Sequence, residues 1–88
     1  MSKISAQVSL YPLRRDSIGP PIREAVRYFR EQGLEVRVGE MSTLVWGEER
    51  EIFDALHQVF HRTADQGDVV MNVTLSNTCP EPDDSSGS

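Results

Sequence analysis

Cysteine, aromatic side chains and long apolar runs are all scarce in this chain of 88 residues. Its single cysteine, Cys79, cannot form an internal disulfide, and no apolar secretory segment follows Met1, so we expect a cytoplasmic protein. Nowhere do about eighteen apolar residues run together, which argues against membrane insertion. A chain of this length also has too few residues for two independent cores, so we expect one domain.

A basic surface is missing as well. The formal net charge is −5, and Glu81, Asp83 and Asp84 near the end of the chain carry three of the negative charges, so the remainder is nearly neutral. The arginines are scattered, and Arg14-Arg15 is the only adjacent basic pair. Recognition of nucleic acid needs a positive surface with interleaved aromatic residues, so we expect no nucleic-acid partner.

Hydrophobic periodicity divides the chain into six segments. Strict alternation of apolar and polar residues predicts strands, whereas apolar residues at i, i+3, i+4 and i+7, as in Ile22 to Phe29, predict helices. Pro20-Pro21 suits a first helical turn, and Gly33 suits the position after a last one. A strand, a helix, two strands, a helix and a strand are expected near residues 4–11, 20–32, 34–38, 42–47, 48–66 and 69–76.

This order, β-α-β-β-α-β, predicts an α+β fold of the ferredoxin-like kind, in which two helices pack on one face of a four-stranded antiparallel sheet. Right-handed crossovers place the first and third strands in the centre. We expect the domain to span residues 1–78 and the acidic tail 79–88 to be disordered. A domain this small leaves apolar surface uncovered, which favours a homodimer or homotetramer built through the sheets.

The sheet face away from the helices is predicted to be unusually polar. If Ile4, Ala6, Val8 and Leu10 face the helices, the open face carries Gln7, Ser9, Tyr11, Asn72 and Thr74. The third strand is ambiguous, and we favour Trp46 on the open face with Ser42, and Thr43 on the other. Such a surface suits hydrogen bonding and stacking with a flat polar heterocycle. Solvation or a subunit interface is the commoner explanation of such a pattern on a half-exposed sheet, so the pattern alone does not identify a binding site.

Several short motifs resemble those of the YkoF-like thiamine-binding protein family. They are Val38-Gly39 at the end of a strand, Ser42-Thr43 after a short link, Gly47-Glu48 at the start of an acidic helix, and the first strand running through Val8-Ser9-Leu10-Tyr11 into Pro12. The resemblance covers about residues 3–77. It implies a ferredoxin-like fold, oligomers formed through the sheets, and binding of thiamine or hydroxymethylpyrimidine without catalysis.

The sequence therefore predicts a non-catalytic small-molecule-binding protein with no metal and no resident cofactor. Its expected role is that of a carrier, a sensor or a salvage component for thiamine or a related pyrimidine. The alternative is a regulatory oligomerisation domain that binds another metabolite, such as an amino acid. Ser42 and Thr43 come from the matching motif, and the full predicted site is Gln7, Ser9, Tyr11, Ser42, Thr43, Trp46, Asn72 and Thr74.

Other chemistries have weaker support in the sequence. His57 and His61 have the i, i+4 spacing of a helical metal site, but no third and fourth ligands are evident. Arg14, Arg15 and Asn72 superficially match an acylphosphatase, although the glycine-rich phosphate loop is missing. No serine has an identifiable histidine and carboxylate beside it, so we expect no enzyme.

Overall fold

The computed structural model describes residues 3–13, 19–40 and 42–78, and it confirms the predicted order of elements. The segments 14–18 and 79–88, which carry a predicted loop and the predicted disordered tail, lie outside the described residues. The six elements are β1 (Lys3–Pro12), α1 (Gly19–Glu31), β2 (Glu35–Val38), β3 (Thr43–Glu48), α2 (Glu49–Asp65) and β4 (Val69–Ser76).

The four strands form one antiparallel sheet in the order β2-β3-β1-β4. The predicted central position of β1 and β3 is therefore confirmed, as expected from right-handed crossovers. The two ladders on β1 differ in length. Pairing with β3 runs from Lys3↔Glu48 to Val8↔Thr43, whereas pairing with β4 continues to Pro12↔Val69. The sheet therefore has a step where β3 begins and β1 continues.

The core lies between the sheet and the two helices, on one face of the sheet, as the fold requires. Phe29 of α1, Val45 of β3 and Ile52 of α2 are its largest fully buried side chains. Between the two helices, the Arg62 guanidinium lies over the Tyr28 ring, 4.4 Å from the ring centroid. This cation–π contact joins α2 to α1.

The C-terminal end of α1 has the conformation that the sequence predicts. Gly33 has φ of +83°, and the Leu34 amide donates to the Phe29 carbonyl at 3.2 Å. A left-handed glycine after the last helical turn allows this closing hydrogen bond at no steric cost. The chain turns here, and the buried Leu34 then enters the core ahead of β2.

Helical spacing puts Phe60 next to the apolar stripe of α2, and alternation puts Leu75 on the helix-facing side of β4, yet both are exposed. Phe60 is 41% exposed and Leu75 is 42% exposed. The buried stripe of α2 runs through Ile52, Ala55, Leu56, Val59 and Thr63. Phe60 lies about 100° around the helix from Val59, which turns it away from the centre of this stripe. Leu75 belongs to the helix-facing side of β4, but β4 is an edge strand and the helices cover the central strands first.

Gly47 is a position where a close approach of elements requires glycine. A Cβ atom built there would lie 2.5 Å from Leu34 Cδ2 and 3.7 Å from Ile52 Cδ1. Because Leu34 and Ile52 are both buried, neither side chain can simply move into solvent. The glycine that precedes the acidic helix thus allows α2 and the Leu34 segment to approach β3.

We expect Gly47→Ala to lower the free energy of unfolding by about 1–3 kcal/mol, measured by urea denaturation, because it overpacks the core. In an unobstructed strand the same change would stabilise by about 0.4–1 kcal/mol, through the unfolded state. Leu34→Ala removes the clashing atom. The double variant should therefore lose less unfolding free energy than the sum of the losses in the two single variants. Full stability of Gly47→Ala would contradict this account of the packing.

Candidate functional site

Four of the predicted residues form a compact polar patch on the open face of the sheet. Gln7 lies directly opposite Thr74, and Ser9 lies directly opposite Asn72, on the neighbouring strands β1 and β4. Directly opposite residues in an antiparallel pair project from the same face with Cβ atoms about 5 Å apart. The predicted alternation is confirmed here, since Ala6, Val8 and Leu10 are buried on the helix side.

Ser42 extends this patch towards the link between β2 and β3. The Gln7 side-chain amide donates from Nε2 to Ser42 Oγ at 3.1 Å. The backbone of Ser42 is held from the other side, because the Gly39 amide donates to the Ser42 carbonyl at 2.8 Å. Ser42 is thus tied both to the central strand β1 and to the end of β2.

The two aromatic residues of the predicted site differ in accessibility. Trp46 faces Ser5 and Glu35 across the sheet, on the open face as predicted, yet it is only 8% exposed. Little of its ring is therefore available for stacking on a ligand. Tyr11 lies opposite Val70 at the far end of the open face, and both are 45% exposed. Tyr11 is the accessible aromatic ring of the predicted set.

Thr43 is separated from the other predicted residues. It pairs with Val8 and Val38, both on the helix-facing side, so it belongs to the opposite face of the sheet from Ser42. Within the described part of the chain its hydroxyl has no hydrogen-bond partner, and no buried side-chain polar atom there is left unsatisfied. The hydroxyl of this largely buried residue is therefore accessible. The eight residues do not form one continuous open-face site.

A cavity of about 80 Å³ lies beside Thr43, between the sheet and α1, where β3 begins and β1 continues. Its described walls are mainly apolar, and three hydroxyl residues and one carboxylate interrupt them. The lining residues are Val8, Ser9, Leu10, Ile22, Ala25, Phe29, Val38, Gly39, Glu40, Ser42, Thr43 and Val59. Ser9 and Ser42 thus belong both to the cavity and to the open-face patch, and they connect the two.

The cavity includes residues that alternation along the strands did not identify. Glu40, in the link between β2 and β3, is the one charged residue among the described cavity walls, and it is exposed to solvent. Ile22, Ala25 and Phe29 contribute the apolar wall of α1. The motif Val38-Gly39 with Ser42-Thr43 marked this region in the sequence, but a wall formed by a helix is not visible in a strand pattern.

Within residues 3–13, 19–40 and 42–78, no further metal ligands are grouped with the histidine pair. His57 and His61 pack edge to face on α2, with ring centroids 6.3 Å apart. No group of three or more histidine, cysteine, aspartate or glutamate side chains in these segments is arranged to hold a metal ion. Neither described helix has the length and apolar character needed to cross a membrane.

Several solved structures have the same fold as this chain. A hypothetical protein from Methanocaldococcus jannascii is 25% identical, with a TM-score of 0.81 over 92% of this chain and 86% of that one. A protein from Streptococcus pneumoniae is 20% identical, with a TM-score of 0.80 over 98% and 99% of the two chains. A candidate thiamine biosynthesis or salvage protein from Thermotoga maritima is 21% identical, with a TM-score of 0.76 over 84% and 82%.

A family profile covers all of the described residues. No functionally curated protein is similar enough in sequence to give a match. The profile of the YKOF-related family, in contrast, matches residues 3–82, which include every strand, both helices and the cavity. With the ferredoxin-like fold in place and the motifs at Val38-Gly39, Ser42-Thr43 and Gly47-Glu48 in their expected elements, this match shows that the chain belongs to the YKOF-related family.

Proposed function

We propose that this protein binds thiamine or a related pyrimidine, such as hydroxymethylpyrimidine, without catalysing a reaction. Its role would be that of a carrier, a sensor or a salvage component. The observation that carries the proposal is the cavity at the step in the sheet, which has mainly apolar walls and includes Ser9, Ser42 and Thr43 among its lining residues. Ligand sites commonly combine apolar walls with a few polar groups that orient the ligand.

The chemistry of the cavity matches an aminopyrimidine. Such a ring has an amino donor beside ring-nitrogen acceptors, and hydroxyl groups can serve as either donor or acceptor. The apolar walls from Ile22, Ala25 and Phe29 would contact the ring faces. Because the Thr43 hydroxyl has no other partner in the described chain, a ligand could bond to it without breaking an existing hydrogen bond.

The size of the cavity limits how the ligand lies in it. Its volume is about 80 Å³, whereas an engineered cavity of about 150 Å³ is known to hold benzene. A pyrimidine therefore inserts only one edge unless the walls open, and the rest of the ligand lies at the mouth. The open-face patch of Gln7, Asn72 and Thr74 begins there, adjacent to Ser9 and Ser42.

The mouth also suits a cation. Glu40 forms no ion pair with another described residue, and it is among the residues that line the cavity. A positively charged thiazolium attached to the pyrimidine would gain from this negative charge, to an extent that depends on exposure and salt. The description of the Thermotoga maritima relative as a candidate thiamine biosynthesis or salvage protein supports the same ligand class.

Titration calorimetry with thiamine, its phosphates and hydroxymethylpyrimidine tests the proposal directly. We expect binding tighter than millimolar for at least one of them, and a matching rise in the thermal midpoint. Absence of binding by all of them would reject the proposed ligand class. A thermal shift with an amino acid instead would favour a regulatory domain for a different metabolite.

We expect Thr43→Val to weaken binding of hydroxymethylpyrimidine by about 1–3 kcal/mol, because it removes a hydroxyl from the cavity without changing the side-chain volume much. Asn72→Ala should have a similar effect if the ligand extends onto the open face. Thr63→Val is the matched control, since Thr63 is buried and its hydroxyl bonds to the Val59 carbonyl at 2.9 Å, within α2. Unchanged affinity in both Thr43→Val and Asn72→Ala would mean that the ligand binds elsewhere on the protein.

We expect Glu40→Gln to weaken thiamine binding roughly 2- to 5-fold at low salt, and to leave the neutral hydroxymethylpyrimidine nearly unaffected. The difference should shrink as the salt concentration rises, because the interaction is exposed and therefore screened. Calorimetry in buffers of low and high ionic strength measures both effects. Glu35→Gln, on the exposed outer strand, is a charge-matched control. An equal loss for the two ligands would exclude an electrostatic role for Glu40.

We also propose that the chain forms a homodimer or homotetramer through its sheets. Two features support this: β4 is an edge strand, and Tyr11 and Val70 leave an apolar area at one end of the open face. An unpaired strand edge and exposed apolar area are typical of surfaces that a second copy covers. Such a copy would also cover part of the open-face patch and exclude water from a ligand there.

Sedimentation equilibrium is expected to give a mass above that of one chain at micromolar concentration. Val70→Lys should shift the equilibrium towards the monomer, because it places a charge in the apolar area of the open face. Val38→Lys is the control, since Val38 is comparably exposed but lies on the helix-facing side of the opposite edge. A wild-type protein that remains monomeric at every concentration would contradict the assembly.

A further inference from the structure

We infer that Trp46 and its neighbours on the open face form a docking surface for the segment of the same chain that follows Thr78. This segment begins Cys79-Pro80-Glu81-Pro82-Asp83-Asp84. Burial of Trp46 on the face of the sheet away from both helices carries this inference, which is independent of the proposed function.

Burial on the open face is concentrated around Trp46. Trp46 is 8% exposed and Ser5, directly opposite on β1, is 4% exposed. Gln7, two residues further along β1 on the same face, is exposed, and so is Glu35 on the other side of Trp46. A sheet face that nothing covers stays open to solvent. Because a serine is too small to shield an indole, a further group lies over Trp46.

The end of β4 directs the following chain towards this surface. Ser76 pairs with Ser5, and Ser5 pairs with Trp46, so β4 ends in the same row of the sheet as Trp46. The Thr78 amide donates to Ser76 Oγ, on the open face, at 3.0 Å, which forms a serine turn. Neighbouring strands lie about 4.8 Å apart, so the chain leaves the sheet about 10 Å from Trp46. About three extended residues span that distance.

The two prolines of the segment suit an aromatic surface. Pro80 and Pro82 present apolar rings on a backbone whose φ angles are already restricted, so little conformational entropy is lost when they pack on an indole. The family profile continues past the end of β4 to residue 82 and so includes both prolines. Residues 79–82 are also long enough to reach Trp46.

Charge complementarity favours the same occupant. Lys3 and Arg37 are exposed and lie diagonally on either side of Trp46, because they are two residues from its partners Ser5 and Glu35. The segment carries three acidic residues and no basic one: Glu81, Asp83 and Asp84. Acidic groups that follow the prolines would therefore meet positive charges at the rim of the surface.

The other internal segment outside the described residues is too distant. Residues 14–18 join Leu13 to Gly19, and Leu13 follows the end of β1 opposite to Ser5. From Ser5 to Pro12 a strand extends about 23 Å. The remaining occupants to be tested are a second copy of the chain and the two residues before Lys3.

Fluorescence of Trp46, the one tryptophan in the sequence, reports on this surface in the whole chain. We expect the short-wavelength emission of a shielded indole and slow quenching by acrylamide at every protein concentration. In Pro80→Ser with Pro82→Ser, emission should shift to longer wavelength. The docking equilibrium constant should fall roughly 10-fold, because two apolar rings are removed from the indole. Ser85→Ala with Ser86→Ala is the control within the same segment, and circular dichroism verifies that each variant is folded.

Glu81→Gln with Asp83→Asn tests the charges. We expect the docking equilibrium constant to fall roughly 2- to 5-fold at low salt. Added salt should reproduce this loss in the unsubstituted chain, and acrylamide is neutral, so the quencher itself does not respond to salt. Asp54→Asn with Asp65→Asn is the charge-matched control, since both residues are exposed on α2, on the other side of the sheet.

Three outcomes would overturn the inference. The first is the emission of a solvent-exposed indole in the unsubstituted chain. The second is shielding that disappears on dilution and does not respond to the substitutions, which would assign Trp46 to an interface with a second copy. The third is shielding that survives both sets of substitutions at every concentration, which would assign the cover to Met1 and Ser2. Failure to bind thiamine-related probes would reject the proposed function and leave this inference unaffected.

Discussion

The double pairing of β1 is the constraint on which the rest of the structure depends. This strand pairs with β3 on one side and β4 on the other, and it pairs further with β4 than with β3. The unequal ladders create the step at Val8 and Thr43. Because α1 passes over this step, its side chains close a cavity instead of packing directly on a full sheet. The candidate site is therefore a consequence of strand lengths as much as of particular side chains.

Packing around Gly47 ties the two halves of the fold to this sheet. The segment after α1 places Leu34 against Gly47, and α2 places Ile52 beside the same position. A glycine there lets both approach β3 without a collision. The motif glycine of the family thus has a packing explanation, independent of any ligand. A cation–π contact between Arg62 and Tyr28 connects α2 to α1.

The candidate site combines two kinds of surface with different physical roles. The cavity offers apolar contact and an accessible hydroxyl at Thr43, and the open-face patch offers exchangeable hydrogen bonds at Gln7, Asn72 and Thr74. Ser9 and Ser42 connect the two at the step in the sheet. A ligand with a flat aromatic part and a polar remainder would use both surfaces. The candidate site therefore has a buried part, the cavity, and an exposed part, the open-face patch.

Local pattern determined the elements and the face of most strand residues, because alternation and helical spacing are properties of neighbouring residues. The strand order followed from the right-handedness of the crossovers. Alternation correctly placed Gln7 and Asn72 on the open face, and it placed Thr43 on the other face of the sheet from Ser42. Tertiary structure alone decided the cavity, the burial of Trp46 and the exposure of Phe60, since these depend on which distant elements cover a residue. Long-range packing decides where a ladder of paired strand residues ends and which helix passes over that end. Local periodicity does not predict either feature.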